Sequence, residues 1–276
     1  MLGSGKIALA AVALGALALA GCGSSATSDT AKTEATSSVL ALLRSDAKGS
    51  LQKAGEKSGD AKSVVISMQG TTAGKKFQAK GAVALSTPVT AQLTMDDPED
   101  GPTEVRMLGT VIYVQVPAKD RADLDGKTWM KMDLGKDSKN TGEFARQFDD
   151  VDPRKQVKTM IDSGALSVVG EETVAGVKTV HYASTAPMST YLAQLDPATR
   201  PEAEKAMSAQ GIKEVKTDLW VDEQYLMRRS HVVLGDTDMT TDYSDYGKPV
   251  TVTEPPAAEV FDMAEMLSKL GSGLTG

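Results

Sequence analysis

The chain predicts an α+β fold, with one large curved antiparallel sheet partly covered by helices. Three observations point there. Apolar residues recur at a period of two in many segments between residues 61 and 246, the pattern of strands with one buried face. Short turns join most of these segments, so consecutive strands pair antiparallel. Helical spacing interrupts them in only a few places, before, between and after the strands.

The N-terminus comes first in the chain and carries the clearest signal. Residues 1–6 hold positive charge on the amino terminus and Lys6, and residues 7–19 are apolar throughout except for Gly15. That is the length of a signal-peptide core, and it falls short of the ~20 residues a spanning helix needs. The segment ends in Leu19-Ala20-Gly21-Cys22. Small residues there let the chain enter a peptidase in extended form. The tetrapeptide resembles the bacterial lipobox, which implies that the Cys22 thiol receives a diacylglyceryl group and that cleavage falls just before it. Cys22 is the only cysteine, so no intramolecular disulfide can form. Residues 23–36 are rich in Ser, Thr, Ala and Gly, a composition that cannot bury enough surface to offset its ordering entropy. The expected organisation is a lipoprotein signal peptide over 1–21, a flexible tether over 22–36 and a single domain over 37–276.

Residues 37–57 place Val39, Leu40, Leu42, Leu43, Ala47, Leu51 and Ala54 at helical spacing, with Ser37 or Ser38 as cap and a weak point at Gly49. From 61 the period changes. Val64, Ile66 and Met68 share one face; Phe77, Ala79, Gly81, Val83 and Leu85 share the next; Val89, Ala91, Leu93 and Met95 the third. Gly74 and Pro88 mark the bends, and 96–102 reads as an acidic turn. Residues 105–109 and 111–116 predict a hairpin turning near Gly109-Thr110, and 127–134 a further strand. Residues 141–150 and 153–163 predict helices, the second with Asp152 as cap, Pro153 as first residue and Gly164 as stop. Residues 165–174 and 177–184 predict a hairpin around Ala175-Gly176, with Val174 opposite Val177 and Glu172 opposite Thr179. Residues 188–195 and 201–209 predict short helices. The strand over 213–222 is followed by 226–234, the loop Gly235-Asp236 and a strand over 237–246. That loop sets Arg229 opposite Asp242 on the outside and Val232 opposite Met239 on the inside. Residues 257–270 predict a terminal helix.

The net charge is −7 and no block of Lys or Arg stands out, so nucleic-acid binding has no support. No internal repeat and no linker divides the strand region.

Several strand-and-turn segments carry a family resemblance. They are Val105-Arg-Met-Leu-Gly-Thr-Val-Ile-Tyr-Val, Gly126-Lys-Thr-Trp-Met-Lys-Met-Asp, Gly170-Glu-Glu-Thr-Val-Ala-Gly-Val-Lys-Thr-Val-His-Tyr, Leu219-Trp-Val-Asp with Leu226-Met-Arg-Arg, and Tyr243-Ser-Asp-Tyr-Gly-Lys-Pro-Val-Thr-Val-Thr-Glu-Pro-Pro. Together the chain resembles actinobacterial lipoproteins of the LppX/LprA/LprF/LprG type, with the LolA-like fold. The resemblance implies an unclosed half-barrel covered on its concave face by helices, and a lipid or glycolipid held between sheet and helices. It supplies no ligand motif, so no cavity residue transfers from it.

The strand pattern itself nominates inward residues: Ile66, Met68, Leu85, Leu93, Met95, Met107, Ile112, Val114, Met130, Met132, Leu219 and Met239. Methionine is flexible and polarisable, which suits apolar ligands of variable shape; the same residues also serve as plain core.

Other constellations are weaker. Ser50-Leu-Gln-Lys53 matches S-x-x-K, but Lys127-Thr128 is followed by Trp129 and S-D-N is absent, so the expectation is no enzyme. His181 and His231 lack metal spacing and read as strand-surface residues. Asp96, Asp97, Glu99 and Asp100, and the series Asp236, Asp238 and Asp242, do not follow the EF-hand order. Tyr243 and Tyr246 could flank an entrance, though packing is the simpler role. No cofactor is expected, and the chain reads as a monomer anchored through Cys22 on the extracytoplasmic side of the cell membrane. The leading function is lipid or hydrophobic-ligand binding; the alternative is an interaction or sensory lipoprotein with a filled core.

Overall fold

The computed structural model describes residues 39–85, 88–97, 101–133, 153–195, 197 and 200–263. The period-two segments become β1 (Ser63–Thr72), β2 (Lys75–Ala84), β3 (Thr90–Asp97), β4 (Gly101–Leu108), β5 (Val111–Gln115), β6 (Trp129–Asp133), β7 (Ser167–Val174), β8 (Val177–Pro187), β9 (Glu214–Asp222), β10 (Met227–Leu234) and β11 (Thr237–Ser244). With a short β12 (Val260–Asp262) they form one twelve-stranded sheet in the order β12-β6-β5-β4-β3-β2-β1-β11-β10-β9-β8-β7. The sheet is open, with β12 and β7 at its edges.

The hairpin registers follow the sequence reading. Val174 pairs with Val177 and Glu172 with Thr179; Arg229 pairs with Asp242 and Val232 with Met239. The turn at Ala175-Gly176 takes positive φ at both residues, +48° and +81°, the twist that matches right-handed strands. The pairing of β1 with β11 (Ile66 with Tyr243, Met68 with Thr241) joins the two halves of the sheet.

Four expectations are corrected. The sheet is mixed, because β12 runs parallel to β6. The terminal helix does not begin at 257: Ala257–Glu259 is a 3-10 turn and Val260, Phe261 and Asp262 pair with Trp129, Met130 and Lys131. Valine and phenylalanine favour strands, and Lys131 Nζ meets Asp262 Oδ2 at 3.0 Å. The orientation is parallel because the chain first crosses the outer face, where Arg106 Nη1 donates to the Thr253 carbonyl at 3.0 Å. The first helix breaks at Asp46, before Gly49. It divides into α1 (39–45) and α2 (Ala47–Gly59), and Asp46 caps α2 by accepting from the Gly49 N–H at 3.0 Å. The acidic turn is shorter than expected, since Asp96 and Asp97 extend β3 and pair with Pro102 and Gly101. A 3-10 helix at Ala118–Leu124 had no signal in the pattern. The helix expected over 141–150, and the terminal helix beyond 263, lie outside the described residues.

Three more helices are α3 (Pro153–Asp162), α4 (Met188–Ala193) and α5 (Arg200–Ala209). Leu40, Leu43, Leu51 and Ala54 of α1 and α2 and Val157 and Met160 of α3 are buried in one cluster with inner-face residues from β1 to β5 and from β8 to β11. Leu192 and Met207 of α4 and α5 form a second cluster with Ile212 and Val215. α2 and α3 pack closely at Gly55, where an added Cβ would lie 3.3 Å from Val157 Cβ.

Two strand glycines let the sheet fold tightly upon itself. A Cβ on Gly81 would lie 2.0 Å from the Gln92 carbonyl oxygen, and one on Gly70 would lie 2.1 Å from that of Asp238. The obstruction is backbone, so it cannot rotate away. Gly81→Ala is therefore expected to destabilise the protein by about 1–3 kcal/mol, read as a lower urea midpoint. By contrast Ala175→Asn, which suits positive φ, is expected to stabilise it by up to about 1 kcal/mol in the same measurement.

Candidate functional site: the inner face of the sheet

Register decides which side chains share a face, because residues directly opposite across a ladder point the same way. Across β1, β2 and β3 the row runs Ile66, Gly81, Leu93, and it continues through Val105 and Val114 to Met130. A neighbouring row joins Ala91, Met107, Ile112 and Met132. In the other direction Met68 leads through Thr241 and Ser230 to Leu219 and Tyr182. Met239 lies in line with Gly70, and Met95 with Ala79. Leu85 follows the same parity just past the end of β2. The sheet thus places every inward candidate on one face.

Their surroundings differ. Ile66, Leu93, Met107, Ile112 and Leu219 are buried in the main cluster. Met68, Leu85, Val114 and Met132 are partly buried against it, and Met130 and Met239 are half-buried. Met95 stands 43% exposed, near the outer end of β3.

The tyrosine hydroxyls on the inner side find partners within the fold. The fully buried Tyr182 donates its O–H to the Leu43 carbonyl at 2.7 Å, and burial pushes its phenol well above the usual range. Tyr243, also raised by burial, lies 3.0 Å from Ser230 Oγ. Tyr246 donates to the Met227 carbonyl at 2.7 Å. These tyrosines pack rather than flank an opening. Tyr182 was missed in the sequence, although its inward parity after Val180 was there to read.

Surface concavities lie on both sides of the sheet, the first beside the inner face and the second on the outer face. One of about 460 Å³ lies between α1 and the edge strand β7, lined by Ala41, Arg44, Ser45, Val168, Val169 and Gly170. Another of about 300 Å³ lies near Gly70, Phe77 and Asp238. Neither is lined by an inward candidate.

The remaining constellations are structural in their contacts. Ser50 is buried and donates to the Leu42 carbonyl at 3.5 Å, while Lys53 Nζ sits 3.8 Å over the Tyr225 ring. Lys53 thus faces an aromatic ring, and the Ser50 hydroxyl is turned to backbone. Among the described residues no group of three or more His, Cys, Asp or Glu is arranged to hold a metal ion. Asp242 forms a two-point pair with Arg229, 2.6 Å and 3.0 Å. Cys22 lies outside the described residues, and so do 98–100 of the acidic turn. No helix of the described residues is long and apolar enough to cross a membrane.

Comparison with protein-family models gives no match. In sequence the chain is 28% identical over 184 residues, 63% of its length, to an uncharacterized 31.2 kDa protein of Streptomyces griseus from the rplA-rplJ intergenic region. It is 29% identical over 179 residues, 61% of its length, to a Streptomyces coelicolor protein named "Putative lipoprotein". These matches span 60% and 54% of the two relatives' own lengths. Among solved structures, LppX of Mycobacterium tuberculosis is 16% identical with a TM-score of 0.48, and LprF of Mycobacterium bovis is 16% identical with a TM-score of 0.49. Each alignment covers 77% of this chain and 98% of the other. In sequence the chain is thus similar to a protein that carries a lipoprotein name.

Proposed function

We propose that the protein is an exported lipoprotein, held by acyl chains on Cys22 at the outer face of the cytoplasmic membrane, and that it binds a lipid or other hydrophobic molecule against the inner face of its sheet. It acts as a binding protein and not as an enzyme. The observation that carries the ligand reading is the single apolar face shared by strands β1 to β6 and β8 to β11, on which Met68, Met95, Met130 and Met132 keep part of their surface outside the packed cluster. Burying acyl chain there contributes about 25 cal/mol per Å². Methionines adjust to chains of different length and unsaturation. The anchor reading rests on Leu19-Ala20-Gly21-Cys22 after an apolar run of signal-peptide length. The name of the Streptomyces coelicolor relative agrees with it. Two or more long acyl chains hold a protein stably at a bilayer, at about 0.8 kcal/mol per buried CH₂.

A second reading has one observation in its favour. Under α1, α2 and α3 the inner face is filled, with Leu43, Leu51, Met160, Tyr182 and Leu219 all essentially without solvent contact. A lipoprotein with a filled core would act through a protein partner.

Labelling tests the anchor that both readings share, and lipid analysis of the purified protein separates the two. Metabolic labelling with a tagged fatty acid is expected to mark the mature protein. Cys22→Ser is expected to abolish the label and move the domain to the soluble fraction, and retention at the membrane would remove the anchor. Native mass spectrometry of the purified protein is expected to show co-purified lipid. Met132→Trp is expected to reduce bound lipid several-fold while the melting temperature stays within a few degrees of the native value. Absence of lipid from the native protein would favour the filled core.

A further inference from the structure

Both histidines of the chain stand on the outer face of the sheet, and every one of their ring nitrogens faces a carboxylate. His181 Nδ1 lies 2.8 Å from Glu172 Oε1, and its Nε2 lies 2.8 Å from Asp218 Oδ1. His231 Nδ1 lies 3.4 Å from the other oxygen of Asp218, and its Nε2 lies 2.9 Å from Asp238 Oδ1. The chain of contacts runs Glu172, His181, Asp218, His231, Asp238 and crosses β7, β8, β9, β10 and β11 in spatial order.

This arrangement selects a charge state. A neutral imidazole offers one N–H and one lone pair, so between two carboxylates it bonds one and repels the other. An imidazolium donates from both nitrogens and joins the two. The local groups fit that form. Trp220 Nε1 donates to Glu172 Oε2 at 2.8 Å, and its ring stacks on His181 at 4.1 Å and 15°. Arg229, whose charge also acts on Glu172, is paired with Asp242. Lys216, next along β9, lies 3.4 Å from Glu214. The Trp220 hydrogen bond and then that of His181 hold the Glu172 carboxyl below the usual range.

We propose that this relay is a pH-operated clamp on the edge strand β7, closed while both imidazoles carry two ring protons and released as they lose the second. Among the described residues β7 has a strand partner on one side only, β8. Glu172 ties its outer face inward through His181 and Trp220. The same strand forms one wall of the concavity beside α1, so the clamp sets how firmly that wall is held. The sign is fixed by the groups. A carboxyl held low contributes stability that is present above its unfolded value and lost in acid. A neutral imidazole keeps only one of its two carboxylate contacts, so the link from Glu172 through His181 to Asp218 is broken once the ring gives up its second proton. The clamp is therefore closed only in the doubly protonated form.

The test is hydrogen exchange on the full chain between pH 5.5 and 8.5 at constant ionic strength, with rates normalised for intrinsic base catalysis. Protection of residues 167–174 is expected to fall about tenfold as pH rises, the size expected for losing one charge-assisted hydrogen bond, while that of α2 and β1 stays constant. His181→Gln is expected to remove the dependence in β7. Unchanged protection across the range in the native chain, or a dependence that survives His181→Gln, would overturn the proposal. Imidazole nitrogen spectra of the native chain supply a readout that needs no variant. The loss of the second proton on His181 is expected to share its midpoint with the loss of β7 protection, and separate midpoints would refute the clamp.

Discussion

One apolar face running across a twelve-stranded sheet is the constraint from which the rest of the structure follows. Neighbouring strands lie ~4.8 Å apart, so laid flat the sheet would be roughly 50 Å wide and would need a cover of similar width. Among the described residues the helices α1, α2 and α3 are too short to span that width. The sheet instead curls around them, which brings Ile112 of β5 and Tyr182 of β8 into one cluster although eight ladder steps separate their strands. Curling costs close backbone approaches. Gly70 and Gly81 occupy inward positions where a side chain would strike a neighbouring carbonyl. The inner face therefore carries glycine where the pleat folds hardest and bulk where the helices rest.

Curling also brings backbone polar groups into places without water, where an unpaired N–H or C=O is expensive. The region around the β10 bulge, between Met227 and Arg229, shows how this is met. The Met227 N–H donates to Ser58 Oγ of α2 at 3.1 Å, and its carbonyl accepts from the Tyr246 hydroxyl. Nearby Asp222, 2% exposed, accepts from Arg228 Nε at 2.6 Å and from the N–H groups of Gln224 and Leu226. A buried carboxylate is tolerable only when its lone pairs are filled in this way. The helix–sheet junction is thus held by directional bonds as well as by apolar burial, and those bonds fix where α2 sits along the sheet.

What the sequence discloses and what it conceals follow from range. Hairpin registers depend on a few adjacent residues, and Ala175-Gly176 and Gly235-Asp236 are enough to set them. The inward set is legible for the same reason, since parity within a strand is local. The β1–β11 ladder joins residues 167 to 179 positions apart, and no local pattern announces it. β12 is three residues long and reads as part of a helix because Val260, Phe261, Met263 and Ala264 fit both periods. Its strand pairing comes from the run of 245–256 across the outer face, a tertiary event. The Asp46 break escapes because aspartate caps a helix only where the preceding turn bends away. His181 and His231 look unremarkable in sequence, being 50 residues apart, and the register of β8, β9 and β10 is what sets Asp218 between them.

The two faces of the sheet divide the labour in a way that bears on the proposed role. The inner face is apolar and, under α1 to α3, tightly filled, whereas among the described residues Met95, Val114, Met130 and Met132 around β3 to β6 are incompletely covered by the main cluster. The outer face between β7 and β11 is tied by charge instead, through the histidine–carboxylate relay and the Arg229–Asp242 pair. Apolar packing carries no charge to gain or lose, whereas an imidazole joins two carboxylates only while both ring nitrogens hold a proton. The two faces are kept apart by the sheet itself, since Tyr182 points to the apolar side of β8 and His181, the next residue back, to the charged side.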